Sequence, residues 1–163
     1  MKKARPPEDP DSFKAAYFRA LRWLTARELS EAQVRLRLAD RGYTDAAIGP
    51  AVERLLQERT LDDRRAAAAI ARTEARVRRH GPRRVMGKLI SMQIDRELAQ
   101  EVVKDLFGET DEADLIEAAL ARRLRDKPER LQDPRERRRI LAYLVRQGFS
   151  ASASASALRK KSK

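Results

Sequence analysis

The stretch LADRGYT, at residues 38–44, has two counterparts in the chain, LISMQID at residues 89–95 and LVRQGFS at residues 144–150. In each copy a leucine is followed five positions later by a large apolar residue and then by a residue that can cap a helix. The leucines lie 51 and 55 residues apart. This spacing predicts tandem copies of one helical unit, forming an elongated array that binds a large partner along its surface.

Further apolar positions recur in the same register. They lie four residues before each leucine and fourteen residues after it, offsets that place them on the inner face of a helix pair. The residues are Val34, Val85 and Ile140 before the leucine, and Val52, Val103 and Leu158 after it. The pattern favours an all-α fold.

The composition agrees with closely packed helices. With 7 Pro and 6 Gly among 163 residues, the chain has too few turn residues for a large all-β fold, and only 5% of its residues are aromatic. It contains no cysteine, which excludes thiolate chemistry and is typical of a reducing cytoplasm. The longest apolar run, residues 66–71, is far too short to cross a membrane. We expect a soluble, cytoplasmic protein.

Positive charge is distributed along the whole chain, which has a formal net charge of +12. Residues 12–60 contain 9 basic and 6 acidic side chains, residues 61–108 contain 11 and 7, and residues 109–163 contain 14 and 9. A surplus in every unit indicates a polyanion or an acidic protein surface as the partner. The alternative is that these charges only solvate the helices.

Capping signals mark the predicted helices of the first unit. The first helix is expected over about residues 12–27. Ser30 and Gln33 form a capping box for the second helix, and Thr44 caps the third. Pro50 requires the third helix either to kink or to start late.

The later helices are predicted from the same signals. Asp62 caps a long fourth helix that continues to about Arg79. The next four are expected over residues 82–91, over residues 95–107, from about Asp111, and from the cap at Asp133. The end, SASASASALRKKSK, is expected to be frayed or disordered, because Ser154 replaces an apolar residue and only Leu158 remains to anchor a ninth helix.

These boundaries divide the chain into five segments. Three-helix repeats are predicted over residues 12–60, 61–108 and 109–158, the last with a weak final helix. Residues 1–11 are predicted to be a disordered lead, since prolines and acids stand where a signal peptide would be apolar. Residues 159–163 form a basic tail suited to loose phosphate contacts.

Two predicted helices carry rows of arginine. At 100° per residue, the arginines of the fourth helix lie within about 60° of one another and opposite its apolar residues, and the eighth helix has a similar row. Guanidinium groups make bidentate contacts with phosphate or carboxylate. With the basic residues of the fifth helix, the candidate partner and DNA-binding residues are Arg65, Arg72, Arg76, Arg79, Arg83, Arg84, Lys88, Arg135, Arg138, Arg139 and Arg146.

Residues suited to catalysis are scarce. His80, the single histidine, is interpreted as a capping or exposed residue rather than a base. Asp62 and Asp63 suggest a metal site, but a helix cap accounts for them. The sequence contains no Gly-rich phosphate loop, nucleophile elbow or zinc pattern. We predict a protein that is not an enzyme and that needs neither cofactor nor metal.

Five segments, taken in order, resemble those of a known family. They are Leu21 with Leu24, LSEAQVRLRLADRGYTDAAI at 29–48, LDD at 61–63, GPRRVMGKLI at 81–90, and LVRQGFS at 144–150. In this order and spacing they resemble the RecX family, the bacterial regulators of the RecA recombinase. The resemblance covers about residues 15–150.

The resemblance implies three tandem three-helix units in an elongated, curved array that acts as a monomer. It implies binding along the groove of the RecA filament on single-stranded DNA, where ATP hydrolysis and strand exchange are suppressed without catalysis. The implied processes are homologous recombination, DNA repair and the SOS response. Duplex DNA is a further candidate partner through its phosphates.

The chain departs from the family pattern at three places. Ala66 stands where the family usually has an aromatic residue, Gln93 stands where a glycine is expected, and the ninth helix is rich in serine. Either Gln93 or Met92 therefore has to accept the turn that ends the fifth helix.

A helix-turn-helix DNA-binding protein is the main alternative, because each second and third helix has the right outline. However, the first recognition helix would begin TDAAIGP at residues 44–50, with an acid and small residues where Arg, Asn or Gln would read bases. A scaffold protein with no nucleic-acid partner is disfavoured by the charge.

Overall fold

The computed structural model describes residues 7–108, 112–125 and 127–161. Over these residues the regular structure is helical and contains no strand, which confirms the all-α prediction. Contacts group the chain into two compact units, one of Met1–Ala69 with Ser91–Asp95 and one of Ile70–Ile90 with Arg96–Lys163.

The α-helices follow one another with short connections. They are α1 (Phe13–Leu24), α2 (Glu31–Asp40), α3 (Asp45–Gln57), α4 (Asp63–Arg72), α5 (Pro82–Ser91), α6 (Arg96–Gly108), α7 (Glu112–Leu124), α8 (Pro134–Arg146) and α9 (Ala151–Lys161). A π-helix, Thr73–Val77, follows α4 directly, and a 3-10 helix, Pro128–Leu131, lies between α7 and α8.

Local capping explains where several helices begin. Ser30 and Gln33 form the predicted capping box, since Ser30 Oγ accepts the Gln33 N–H at 3.2 Å and Gln33 Oε1 accepts the Ser30 N–H at 3.1 Å. Asp62 and Asp133 cap α4 and α8 through hydrogen bonds from the main-chain N–H groups two or three residues later. α3 begins at Asp45, so the late-start alternative for this helix is wrong and Pro50 lies inside it.

In the first unit, α1, α2 and α3 pack around an aliphatic core. Ala16 and Ala20 of α1 are fully buried where α1 contacts α3, because small side chains let the two helices approach closely. The larger buried residues of this core are Leu29, Val34, Leu38, Tyr43, Ile48, Val52, Leu55 and Leu61.

The second unit contains a core formed by α7, α8, α9 and the 3-10 helix. Its largest buried side chains are Ile116, Leu120, Leu131, Ile140, Leu144 and Phe149. The expectation of a frayed end is wrong for residues 151–161, because α9 packs against α7 and α8 and buries Ser154, Ala157 and Leu158. Residues 159–161 of the predicted basic tail form the last turn of α9. The rest of that tail, the start of the N-terminal lead and Asp111 lie outside the described residues.

The fourth helix extends to Val77, close to its predicted end, but it is not α-helical throughout. The α-helix ends at Arg72, and the next turn is wider, with the N–H of Arg78 donating to the carbonyl of Thr73 at 3.2 Å. In this wider turn Glu74 is buried, and its Oε2 lies 2.7 Å from Nδ1 of His80. His80 is itself buried, so its interpretation as an exposed or capping residue is corrected to that of a partner for Glu74.

The repeat is visible in the turns that end α2, α5 and α8, the middle helices of the three repeats. The N–H of Tyr43 donates to the carbonyl of Leu38 at 3.2 Å, and the N–H of Phe149 donates to the carbonyl of Leu144 at 3.3 Å. Both bonds close the six-residue ring of a Schellman turn, which needs a left-handed residue just before its end. That residue has a φ of 90° at Gly42, 58° at Gln93 and 96° at Gly148. Gln93, rather than Met92, therefore adopts the left-handed conformation that this turn requires.

Equivalent contacts join consecutive repeats within each unit. In the first unit, Ser30 Oγ donates to the carbonyl of Met92 at 2.9 Å, and in the second unit the N–H of Gly81 donates to the carbonyl of Gln147 at 2.8 Å. Ser30 and Gly81 each lie eight residues before the repeat leucine, and their acceptors each lie three residues after the next one. In both cases, the start of the middle helix of one repeat contacts the turn that ends the middle helix of the following repeat, and the contacting residues occupy equivalent positions.

The apolar positions of the repeat are buried with one exception. The three leucines and the residues four positions before them are buried, as are Val52 and Leu158. Val103 is only half-buried, and its neighbour Val102 takes the buried position instead.

Candidate nucleic-acid interface

Arg65, the first arginine of the predicted solvent-facing row, is exposed, but its guanidinium group is bound by the protein itself. Its Nε donates to Glu28 Oε1 at 2.7 Å, and its two Nη atoms donate to the carbonyls of Arg59 and Thr60 at 2.9 and 2.8 Å. The hydrogen bond with Glu28 raises the pKa of Arg65 above its usual range. These bonds fix the loop between α3 and α4 and leave the guanidinium group little capacity for a partner.

The remaining arginines of this row do not follow α-helical spacing. Arg72 is exposed at the end of α4, and Arg76 is exposed within the π-helix. Arg79 follows the π-helix in a left-handed conformation, with a φ of 62°, and is half-buried. The angle of 100° per residue therefore does not apply across this segment. Arg72 and Arg76 remain two neighbouring positive charges that face solvent.

In the second unit, α5 and the C-terminal end of α8 bring basic residues together. Arg83 and Arg84 of α5 are exposed and Lys88 is half-buried. One Nη atom of Arg84 lies 3.3 Å from the carbonyl oxygen of Arg146 and 3.3 Å from Oε1 of Gln147. This contact places Arg84 of α5 beside Arg146 of α8, where the second and third repeats meet.

The row on α8 faces solvent as predicted. Arg135, Arg138, Arg139 and Arg146 are exposed, while Ile140 and Leu144 are buried. Arg139 donates to Glu136 Oε1 at 2.8 Å, and the side chain of Arg139 is 76% exposed. Such an exposed pair contributes little to stability, so the row keeps most of its capacity to contact an anion.

A second basic cluster was not predicted. Four arginines and a tyrosine line an open depression of about 470 Å³ between the end of α7, the 3-10 helix and α8. The lining residues are Arg122, Arg123, Arg125, Arg130 and Tyr143. Four arginines within residues 122–130 were the available sequence signal. Helical spacing could not reveal the cluster, because the chain turns at Arg125, where φ is 47°.

The acidic pair considered as a metal site has structural roles. Asp62 caps α4, and Asp63 Oδ1 accepts the N–H of Glu31 at 2.7 Å at the start of α2. Burial raises the pKa of Asp63 above its ordinary value. Among the residues described, no group of three or more His, Cys, Asp or Glu side chains is placed to hold a metal ion. Within the same ranges, no helix is long and apolar enough to cross a membrane.

Relatives with similar sequence are regulatory proteins. Over 138 residues the chain is 35% identical to the regulatory protein RecX of Syntrophotalea carbinolica, covering 84% of this chain and 90% of the relative. It is 30% identical over 152 residues to the regulatory protein RecX of Bacillus licheniformis, covering 92% of this chain and 56% of that longer protein.

Solved structures show the same fold. The crystal structure of RecX from Lactobacillus salivarius superposes with a TM-score of 0.78 at 19% identity, covering 93% of this chain and 97% of the other. A second crystal structure, of a regulatory protein RecX, superposes with a TM-score of 0.70 at 23% identity and covers 86% of this chain and 68% of the other.

The matching family models cover the first two groups of helices. The model of the first three-helix domain of RecX matches residues 16–55, and the model of the second three-helix domain matches residues 62–103. Together with the similarity over most of the chain, these matches show that the chain belongs to the RecX family of regulatory proteins.

Proposed function

We propose that this protein inhibits the RecA recombinase by binding along the RecA filament on single-stranded DNA. In this proposal it slows ATP hydrolysis and strand exchange without catalysing a reaction, and so modulates recombination, DNA repair and the SOS response. It acts as a monomer in the cytoplasm. Family membership supports the regulatory role, and the exposed arginines support an anionic partner.

The proposal rests on two features taken together. Several helices carry exposed arginines, and a hydrogen-bonded junction between middle helices occurs twice in the same register. Arg72, Arg76, Arg83, Arg135 and Arg138 are exposed on helices of the second unit. The junctions at Ser30 and Gly81 hold consecutive middle helices through hydrogen bonds in the same register. Because every protomer of a filament presents the same surface, one bound molecule can make several weak contacts. Once one contact has formed, the others form more readily, and together they strengthen binding. Binding of this kind weakens as salt rises, because it depends on charge.

Sequence-specific DNA reading by a helix-turn-helix is less well supported. At the start of α3, Ala47 and Ile48 are buried, and the exposed residues are Asp45 and Ala46. Neither side chain has the donor pattern that reads a base edge in the major groove. Titration with several duplexes separates the two functions, since strong preference for one sequence would favour the transcription-factor alternative.

Co-sedimentation with RecA filaments tests the proposal. Filaments are assembled on single-stranded DNA with a slowly hydrolysed ATP analogue, and the protein is expected in the pellet. The variant with Arg72→Glu and Arg76→Glu should bind at least about tenfold more weakly, because like charges replace two phosphate or carboxylate contacts. A control with Arg22→Glu and Arg27→Glu makes the same charge change at the end of α1 and after it.

The outcomes separate specific from general attraction. Loss of binding in the first variant alone supports an interface that includes Arg72 and Arg76. Equal loss in both variants removes the specific interface, and absence of the unchanged protein from the pellet removes the proposal itself.

A further inference from the structure

The basic depression of the second unit has no role in the function proposed above. It opens where α7 ends and the chain turns into the 3-10 helix, and Tyr143 of α8 forms its apolar wall. Its volume of about 470 Å³ is in the range of small-molecule sites. No carboxylate is among the described residues that line it.

Two of its arginines are held in place. The guanidinium carbon of Arg123 lies 5.1 Å from the centroid of the Tyr143 ring, a cation–π contact. Arg130 donates from Nη2 to Glu136 Oε2 at 2.6 Å, while its Nη1 lies 3.5 Å from the carbonyl oxygen of Arg123. The α7 end, the 3-10 helix and α8 are thus connected through these side chains, which gives the depression a defined shape.

The other two arginines have no side-chain partner among the residues that the structure describes. Arg122 and Arg125 are exposed, and neither side chain forms a hydrogen bond or ion pair with another described residue. The C-terminal end of α7 carries roughly half a negative charge, so a single cation would balance it. Glu136 balances part of the charge of Arg130. Among the described residues, Glu136 is the carboxylate that pairs with an arginine of the depression.

We propose that this depression is a phosphate-binding site for nucleotide material. Arg122 and Arg125 provide bidentate donors to the phosphate oxygens, and Arg130 supplies a fixed positive charge. Tyr143, with Arg123 against its ring, provides a surface beside which the base packs. The phosphate belongs either to a nucleoside triphosphate or to the backbone of a single strand. The proposal does not depend on RecA.

Fluorescence anisotropy of the full chain tests this site, with a short labelled oligothymidylate as the probe. Removing two phosphate donors with Arg122→Gln and Arg125→Gln should weaken binding about tenfold and reduce the salt slope by about two. Tyr143→Leu keeps an apolar side chain but removes the ring, and should weaken binding about fivefold. The control with Arg22→Gln and Arg27→Gln removes the same charge elsewhere and should change binding less than about twofold.

Competition identifies the source of the phosphate. Displacement by ATP at concentrations well below those needed for inorganic phosphate would assign a nucleotide, and displacement by unlabelled strand alone would assign the strand backbone. Unchanged binding by the double variant, equal loss in the control, or no binding of the labelled oligothymidylate by the unchanged protein would overturn the proposal. Thermal melts of each variant ensure that folded proteins are compared, and a result on RecA activity alters none of these outcomes.

Discussion

The Cβ atom that an alanine would carry at Gly81 lies 2.6 Å from the carbonyl carbon of Gly148. Real side chains essentially never approach backbone so closely, and the contacting atoms of Gly148 and Phe149 belong to main chain that cannot easily move aside. The same segment accepts the Gly81 N–H at the carbonyl of Gln147. The second junction therefore depends on a glycine, whereas the first uses the side chain of Ser30 at the equivalent position.

Replacing Gly81 by alanine should destabilise the protein by about 2–3 kcal/mol, because the junction has to separate to admit the methyl group. Gly87, within α5, serves as the control, since a Cβ added there would meet no atom within 4 Å. Gly87→Ala should stabilise the protein by about 0.5–1 kcal/mol, because glycine is a poor helix former. Urea unfolding measures both changes, and equal effects of the two substitutions would contradict the close approach.

Gln93→Gly should stabilise the protein by up to about 1 kcal/mol, because a φ of 58° is costly for a residue with a side chain. The reverse substitution at the equivalent turn, Gly42→Gln, should destabilise it by about 1 kcal/mol, since φ is 90° there. Chemical denaturation of the two variants gives the comparison. A loss of stability in Gln93→Gly would show that its side chain makes a compensating contact.

Ser154→Ala should stabilise the protein by about 1 kcal/mol. The Ser154 hydroxyl is fully buried and has no hydrogen-bond partner among the described residues, so the substitution removes a desolvated polar group without leaving a large cavity. Ser152→Ala, at an exposed position of the same helix, corrects for the helix propensity of alanine. Thermal unfolding measures the difference, and a smaller gain at Ser154 than at Ser152 would argue against burial of this residue.

Stability should depend on pH through Glu136. The hydrogen bonds from Arg130 and then Arg139 hold the pKa of Glu136 below its ordinary value of 4.5. A lowered pKa in the folded state gives stability that is present above 4.5 and is lost as pH falls through the folded value. Glu136→Gln should therefore melt at a lower temperature than the unchanged protein at neutral pH, and the difference should shrink steadily as the solution is acidified below the ordinary pKa. A constant difference would exclude the ion pairs as its cause.

Local signals predicted most helix starts and the repeat register, although Thr44 precedes α3 without a capping hydrogen bond from its side chain. The caps at Ser30, Asp62 and Asp133 depend on residues close in sequence, and the repeated leucines fix the turns that follow them. The positive φ of Gln93 could be predicted because the equivalent residues are glycine.

The features that differ from the prediction depend on tertiary contacts that a local sequence pattern does not show. The π-helix accompanies the burial of Glu74 against His80, which no periodicity indicates. α9 is ordered because it packs against α7 and α8 and buries Ser154, Ala157 and Leu158, although the sequence there is polar. The helical angle placed Arg65 opposite the apolar face of its helix, but its hydrogen-bond partners lie on the preceding loop and at Glu28.

The rate of ATP hydrolysis by RecA on saturating single-stranded DNA tests the central claim most directly. We expect the protein, at a concentration well below that of RecA, to slow hydrolysis, and the effect to persist when excess single-stranded DNA is added, because the contact is with the filament. An unchanged rate, or inhibition that disappears with excess DNA, would contradict the proposed regulation of the filament.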